Sequence, residues 1–216
     1  MTQYLSTPCT AFVGTRRIAS GALIDVALAI KAQDAAEPGA VFVFDDASGA
    51  AIDLDLRGTT AEVVTRLTEH GELTELAART RGELLGKSSR ARGRPKLGVV
   101  AREVTLLPRH WEWLARQPGG ASQALRRLVD EARRADGGQT DRKAAQERAY
   151  RFLHALAGDL PDYEDVIRAL FAGEAEAFAG RMAAWPADIR DHALALAQPQ
   201  SQSQSQPQPQ SNEERS

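Results

Sequence analysis

The stretch TAFVGTRRIASG, residues 10–21, decides how the N-terminal part of the chain folds. Two short β-prone pieces flank Gly14, which predicts a β-hairpin because glycine accepts the backbone conformations that tight turns need. The next segment, ALIDVALAIKAQ (22–33), carries apolar residues three and four positions apart. That spacing places them on one face of a helix, so an amphipathic helix is predicted directly after the hairpin.

A second strand–strand–helix pattern follows the first. Its parts are the strand AVFVFDD (40–46), the turn ASG (47–49) and the strand AAIDLDLRG (50–58), where apolar and acidic residues alternate. Thr59 or Thr60 caps the next helix, TAEVVTRLTEH, since Thr59 precedes Glu62 by three residues as in a capping box. The predicted fold class is therefore α+β, with a small N-terminal ββαββα unit over residues 1–70.

The rest of the chain divides into four predicted segments. In chain order they are a basic flexible linker (71–98), a strand–helix–helix segment (99–135), a helical segment (143–197) and a disordered tail (198–216). The linker prediction rests on the loss of apolar periodicity, with a short helix at 72–79 left open, and the tail prediction rests on a low-complexity Gln/Ser/Pro composition. The aromatic and aliphatic stripe of the helical segment packs either on the first unit or on a partner chain.

Charge is distributed unevenly along the chain. The net charge is −2, but residues 87–134 hold 12 Lys/Arg and 4 Asp/Glu, a net charge of +8. Residues 1–86 and residues 135–216 each carry a net charge of −5. A basic centre between two acidic flanks indicates contact with DNA or with another acidic surface.

The most basic part of this centre resembles the AT-hook, a short motif that binds the DNA minor groove. The residues that carry the resemblance are Arg90, Arg92, Gly93, Arg94, Pro95 and Lys96. Proline holds the preceding Arg94 extended, and Gly93 lets the backbone lie deep in a narrow groove. A·T pairs present only acceptors on the groove floor, so the resemblance implies A·T-rich DNA as the partner. The alternative is a solvated, flexible basic linker.

The segment after the hook, residues 102–134, resembles the ribbon-helix-helix family of bacterial DNA-binding proteins. The quoted parts are a strand ending in Leu107-Pro108, a first helix RHWEWLARQ (109–117), the turn GGAS (119–122) with Ser122 as N-cap, and a second helix QALRRLVDEARR (123–134). The resemblance implies a homodimer that lays a two-stranded ribbon in the major groove, with Arg102, Arg126 and Arg127 near DNA. The alternative is a plain helix hairpin packed on the rest of the protein.

Two details of this segment lead to specific expectations. Counting back from Pro108, alternation turns Leu106 and Val104 toward DNA, so either the strand is shifted by one residue or it does not read bases. Trp111 and Trp113 lie two positions apart and cannot share a helix face. One of the two tryptophans is expected in the core with Leu114, and the other on the surface.

Nothing in the sequence indicates an enzyme, a metal site or a cofactor. Cys9 is the single cysteine and is expected to be a buried thiol. The four histidines lack a second ligand at metal-binding spacing, and each is expected to be on the surface or hydrogen-bonded. The pair Asp45-Asp46 opens a turn, where aspartate is common. No apolar run is long enough for a membrane span and no signal peptide is evident, so a cytoplasmic location is predicted.

The chain as a whole resembles a bacterial family known only as a domain of unknown function. The principal run is RGRPKLGVVAREVTLLPRHWEWLARQPGGAS (92–122), with AFVGTRRIASG (11–21), VFDDASG (43–49) and AGDLPDYE (157–164) as further landmarks. The resemblance implies a folded bacterial protein and supplies no activity, ligand or site. The function predicted from the residues is DNA binding or nucleoid association through residues 87–134, with transcriptional regulation as one form of it. A protein-interaction or scaffold module is the alternative.

Overall fold

A computed structural model of the chain describes residues 3–33, 40–85 and 103–199, without the side chains of residues 78, 79 and 81–85. The elements are β1 (Pro8–Val13), β2 (Arg16–Ala22), α1 (Leu23–Gln33), β3 (Val41–Asp45), β4 (Ala51–Ile52), α2 (Thr60–Leu85), α3 (Pro108–Ala115), α4 (Gly120–Asp136), α5 (Gln139–Leu156), α6 (Tyr163–Ala172), α7 (Ala175–Arg181) and α8 (Ala187–Leu196). The predicted α+β class is confirmed, and so is the first ββα unit. The tail predicted from residue 198 onward falls, after Pro199, outside the described residues.

The four strands form one antiparallel sheet in the order β2-β1-β3-β4. In the predicted hairpin, Thr10 of β1 lies opposite Ser20 of β2, and Gly14 takes a positive φ of 56° at the turn. On the other edge of β1, Cys9 pairs with Asp45. This register brings the side chains of β1, β2 and the turn after β3 to the same end of the sheet.

Strand β4 contains only two residues, much less than the strand predicted over residues 50–58. Local hydrogen bonds replace the ladder beyond Ile52. The Asp55 carboxylate accepts bonds from the backbone N–H and the guanidinium of Arg57. Arg66 of α2 donates to the carbonyl oxygens of Asp55 and Arg57. Since side chains already satisfy these backbone groups, the alternating pattern does not extend the sheet.

Helix α2 runs for 26 residues, so the flexible linker predicted from residue 71 is wrong as far as residue 85. The capping box is confirmed, because the Glu62 carboxylate accepts the Thr59 N–H at 2.6 Å and Thr59 Oγ1 accepts the Glu62 N–H at 3.3 Å. Further along, the hydroxyls of Thr74 and Thr80 donate to carbonyl oxygens one turn back. These bonds satisfy the two hydroxyl groups within a helical segment that lacks an apolar stripe. Residues 86–98 lie outside the described residues.

The chain forms two units, and unit 1 draws on both of its ends. It comprises the described residues of Leu5–Leu67 and Gly138–Ser216. Phe12 of β1 and Phe44 of β3 are fully buried against Phe152 of α5, with ring centroids 5.3 Å and 5.0 Å from that of Phe152. The helical segment therefore packs on the first unit, the first of the two possibilities left open by its apolar stripe. Trp185 is buried in the same core, and its indole N–H donates to the carbonyl of Pro161 at 2.7 Å.

The turn between β3 and β4 fits closely against α5. Gly49 there has a φ of +68°, and a Cβ built on it would overlap the carbonyl oxygen of Arg148. The guanidinium of Arg151 donates to the carbonyl of Ser48 at 3.1 Å. Glycine is required at position 49 by both its conformation and its space.

Unit 2 comprises the described residues of Thr68–Gly137 together with Thr2–Tyr4. Residues 103–107, expected to form the ribbon strand, contain no strand and lead as an extended segment into α3. Helix α4 starts at Gly120 with Gly119 as N-cap in the left-handed region, so Ser122 lies inside the helix and is not its cap. Glycine occupies the N-cap because its φ of 79° lies in the left-handed region, which residues with a side chain rarely adopt.

Both tryptophans of α3 are on the surface of unit 2, so the expectation that one of them is buried is wrong. Trp111 is 42% exposed and Trp113 is 48% exposed, whereas Leu114 is only 3% exposed. Leu114 is the buried residue of this short helix, and Ala124 is the buried residue of α4, which contacts α3. Two aromatic side chains two positions apart then have no core to enter.

Candidate functional site

Most of the residues predicted to touch DNA are not placed by the structure. Arg90, Arg92, Gly93, Arg94, Pro95, Lys96 and Arg102 lie outside the described residues. Arg126 and Arg127 are described, and both are exposed on α4 of unit 2. Arg126 donates to the Ser122 hydroxyl at 2.9 Å, and Arg127 lies 3.9 Å from the Glu131 carboxylate. Both bonds are exposed and weak, so the two guanidinium groups can reorient toward a charged partner.

Helix α4 carries four exposed arginines along its length, and they alternate with acidic residues. Arg126 and Arg127 are followed by Asp130 and Glu131, and then by Arg133 and Arg134 in the last turn. The two pairs of arginines are seven residues apart and lie on the same side of the helix. Arg134 bends back to donate to the Asp130 carbonyl at 3.1 Å. These four arginines belong to the basic centre, residues 87–134, where the positive charge of the chain is concentrated.

A second feature of unit 2 is a set of large apolar side chains that remain in contact with solvent. Six of them lie between residues 104 and 129, with exposed fractions from 38% to 55%, and we call these six residues the apolar surface: Val104, Leu107, Trp111, Trp113, Leu128 and Val129. Single exposed apolar residues are common, but two tryptophans and four aliphatic residues within 26 positions are a feature of interaction surfaces. Residues 103–107 and α3 and α4 all contribute to it.

Unit 1 contains a site that the sequence analysis missed. We call it the polar cleft; it has a volume of about 380 Å³ and lies beside the sheet, between the β3–β4 turn and α8. It is lined by Pro8 and Thr10 of β1, Arg17 and Ser20 of β2, Asp46 and Ala47 of the turn, Arg148 of α5, and His192, Ala195 and Leu196 of α8. These residues come from four separate stretches of the chain, and no local motif connects them.

A row of hydrogen-bonding side chains crosses the wall of the polar cleft. Thr10 Oγ1 lies 3.3 Å from Ser20 Oγ and 3.2 Å from Asp46 Oδ2. A threonine hydroxyl has one proton, and the carboxylate can only accept when ionised. Thr10 therefore donates to Asp46 and accepts the Ser20 proton. The antiparallel pairing of Thr10 with Ser20 and of Cys9 with Asp45 is what aligns these groups.

His192 stands at the inner end of this row and is buried among aromatic rings. Its ring centroid is 4.7 Å from that of Phe152 and 5.3 Å from that of Phe12. Its Nε2 lies 3.7 Å from Asp46 Oδ1, beyond hydrogen-bond distance, and both atoms are buried without a hydrogen-bond partner in the part of the chain that the structure describes. The expectation that every histidine is on the surface or hydrogen-bonded is therefore wrong for His192, which is 7% exposed.

Burial sets the protonation states in the polar cleft. Desolvation lowers the pKa of His192 to about 4, and the nearby Arg17 cation adds to the shift, so the ring is neutral at pH 7. Desolvation raises the pKa of Asp46, while the hydrogen bond from Thr10 acts in the opposite direction. Burial, followed by the charges of Asp46 and Asp45, raises the pKa of Cys9 to about 12. Cys9 is thus a buried thiol, as expected, and remains protonated at neutral pH.

Two arginines line the polar cleft, and their surroundings differ. The Arg148 guanidinium holds the end of α8, donating from Nε to the Leu196 carbonyl at 2.9 Å and from Nη2 to the Gln198 carbonyl at 2.7 Å. The backbone N–H of Arg17 donates to the Asp188 carboxylate at 2.8 Å. Within the described residues, however, no carboxylate pairs with the Arg17 guanidinium, which is exposed at the mouth of the cleft.

A family model described as "uncharacterized protein conserved in bacteria (DUF2239)" matches residues 8–197 of the chain. The chain belongs to this family. The resemblance seen in the sequence is confirmed, and all four landmark segments of the DUF2239 chain fall inside the matched range. A search of curated proteins and a search of solved structures found no match. The residues of the polar cleft and of the apolar surface all lie within the DUF2239 region.

The described part of this DUF2239 chain sets two further bounds on its chemistry. It contains no group of three or more His, Cys, Asp or Glu side chains placed to hold a metal ion. Among its described helices, none combines the length and the hydropathy needed to cross a bilayer.

Proposed function

We propose that the protein binds DNA through the basic centre, residues 87–134. The observation that carries the proposal is the concentration of charge, since these residues hold 12 Lys/Arg against 4 Asp/Glu in a chain of net charge −2. Binding to duplex DNA depends chiefly on neutralising phosphates, so a clustered excess of cations favours it over an even distribution.

The geometry of α4 supports this proposal. Its four arginines are exposed, and Arg126 and Arg127 are held only by weak exposed bonds that phosphate oxygens can replace. Arg92 and Arg94 enter the minor groove in the proposed complex, and Arg126 and Arg127 contact phosphate. Neutralising about six phosphates gives a slope near −5 for log affinity against log salt concentration.

Fluorescence anisotropy of the full chain with a labelled duplex of about 20 base pairs tests the proposal. An A·T-rich and a G·C-rich duplex are compared at two salt concentrations, for wild type, Arg94→Ala and Arg126→Ala. We expect Arg94→Ala to remove the preference for A·T, and Arg126→Ala to weaken binding to both duplexes equally. Arg168→Ala is the matched control, because Arg168 is also exposed on a helix but lies outside the basic centre and pairs with Asp165. Absence of binding at low salt disproves the proposal.

The apolar surface favours a second candidate function, protein–protein interaction through a homodimer. Six large apolar side chains exposed on one small unit favour a partner that removes them from water. Sedimentation equilibrium of wild type and Val129→Glu tests it. Val129→Glu weakens the dimer at least tenfold if the surface is the interface, whereas Val41→Glu, at an exposed valine of unit 1, leaves it unchanged. A wild-type chain that is monomeric at all concentrations disproves this second candidate.

A further inference from the structure

We propose that the polar cleft of unit 1 binds a small organic monocarboxylate, with the carboxylate on Arg17 and a short hydrocarbon body against the apolar residues of the lining. This site is separate from the basic centre and does not depend on the DNA-binding proposal. It rests on three observations: a guanidinium with no carboxylate partner among the described residues, apolar residues in the same lining, and a buried histidine with unused hydrogen-bonding capacity.

Arg17 supplies the charge that recognises the ligand. Its backbone is fixed by β2 and by the hydrogen bond from its N–H to Asp188, so the guanidinium is held at the mouth of the cleft. Within the described residues no carboxylate neutralises it. A guanidinium binds a carboxylate through two parallel hydrogen bonds, which gives both affinity and orientation. An anion is thus the group that completes this end of the cleft.

The lining of the cleft also includes four small or medium-sized apolar residues. They are Pro8, Ala47, Ala195 and Leu196, and a volume of about 380 Å³ leaves room for a ligand of about ten non-hydrogen atoms. Ligand sites of this kind combine an apolar lining with a few fixed polar groups. A ligand that is entirely polar would leave these apolar residues without a contact. The ligand therefore carries hydrocarbon as well as charge.

The remaining charges of the cleft favour one negative charge on the ligand. Arg148 donates from Nε and Nη2 to backbone carbonyls, and the Asp46 carboxylate accepts a hydrogen bond from the Thr10 hydroxyl. The neutral ring of His192 adds no charge at pH 7. Arg17, Arg148 and Asp46 together give a net charge of +1 at the cleft. A dianion such as phosphate would meet the Asp46 carboxylate with only one unpaired cation to offset it.

His192 provides the independent sign that the cleft is built for a ligand. Its side chain is 8% exposed, and Nε2 has no hydrogen-bond partner although it faces Asp46 Oδ1 at 3.7 Å. A buried polar atom without a partner costs about 1–3 kcal/mol of desolvation, and native proteins leave few of them. A neutral imidazole nitrogen either donates or accepts one hydrogen bond, so Nε2 has hydrogen-bonding capacity that no described residue uses.

Isothermal titration calorimetry of the full chain at pH 7 tests this proposal with hexanoate as the probe. We expect a dissociation constant of about 1 mM or tighter for hexanoate. Hexylamine has the same hydrocarbon chain with the opposite charge, and inorganic phosphate has the charge without the chain. Both should bind at least tenfold more weakly than hexanoate.

Variants locate the site and separate binding from folding. Arg17→Gln should raise the hexanoate dissociation constant at least tenfold, and Arg16→Gln should change it less than twofold, because adjacent strand residues point to opposite faces. Ala195→Leu fills the cleft beside the apolar residues and should also abolish binding. Circular dichroism melting of each variant shows that it is folded. Absence of heat with 10 mM hexanoate, equal binding by Arg17→Gln and wild type, or tighter binding of phosphate than of hexanoate overturns the proposal.

Discussion

In unit 1, aromatic rings from both ends of the chain meet in one core, whereas in unit 2 the pair formed by α3 and α4 buries only Leu114 and Ala124. Phe12, Phe44 and Phe152 are fully buried, while Trp111 and Trp113 are about half exposed. The same chain thus uses its large aromatic residues for stability in one unit and leaves them on the surface in the other. The comparison shows that residue type alone does not determine whether an aromatic side chain is buried. Burial depends on whether other side chains are available to pack around it.

The largest difference between the units is expected from truncating one core residue in each. Phe152→Ala should lower the free energy of unfolding by about 3–5 kcal/mol, because Phe152 contacts Phe12, Phe44 and His192 in a closed core. Leu114→Ala should cost about 2 kcal/mol, at the low end of the range for such truncations, because α3 and α4 bury only one residue each. Urea denaturation monitored by circular dichroism measures both. Equal losses for the two variants would break the contrast between the units.

A smaller difference should appear in the dependence of stability on pH. The pKa of His192 is lowered from 6.5 to about 4 in the folded state, so the unfolded chain binds the proton more tightly. The resulting stability is fully present above pH 6.5 and is lost as the pH falls toward 4. We expect a loss of about 2 kcal/mol between pH 8 and pH 5. The raised pKa of Asp46 acts in the opposite sense, since it favours the folded state as the pH falls.

Two histidine variants assign this pH dependence to unit 1. In His192→Asn the loss between pH 8 and pH 5 should disappear, although the variant is less stable at pH 8. In His110→Asn, which alters an exposed residue of α3, the wild-type profile should be retained. Urea midpoints at a series of pH values provide the measurement. A wild-type profile in His192→Asn would show that the buried ring does not control the titration.

The smallest effect on stability is expected on the apolar surface. Trp111→Ser should lower the free energy of unfolding by about 1 kcal/mol, because 42% of the side chain is already in contact with solvent and only the remainder is lost from packing. Tryptophan fluorescence of the double variant Trp111→Ser/Trp113→Ser then reports on Trp185 alone, which should emit at short wavelength from its buried position. A large loss of stability in Trp111→Ser would mean that the residue is packed within the monomer.

Local patterns in the sequence predicted the elements whose stability is local. The hairpin around Gly14, the helix over 22–33 and the Thr59 capping box are all confirmed, because turn chemistry, apolar spacing and capping act within a few residues. The length of strand β4 was overestimated. Beyond Ile52, the alternating apolar and acidic residues are bonded to the side chains of Arg57 and Arg66 and not to a neighbouring strand. The extension of α2 was missed because the helix continues without an apolar stripe.

The candidate sites show the limit of local patterns more sharply. The basic centre is continuous in sequence and was visible as a charge count, although the AT-hook and ribbon-helix-helix functions remain predictions. The polar cleft was invisible, because Thr10, Asp46 and His192 become neighbours only when α8 packs beside the sheet. The pair Asp45-Asp46 does open the turn, where Asp45 accepts hydrogen bonds from Ala47 and Ser48, but the contact of Asp46 with Thr10 was not foreseen.

The construction of unit 1 from both chain ends has a consequence for synthesis on the ribosome. Phe44 leaves the ribosome 108 residues before Phe152, and Phe12 leaves it earlier still. At translation rates of about 5–20 residues per second, the sheet is complete roughly 5–20 s before the helices that cover it are synthesised. During that interval its aromatic face is exposed in a nascent chain, where chaperones bind. A stop codon after Gly137 would make that exposure permanent, so a truncated product should be a target for proteolysis.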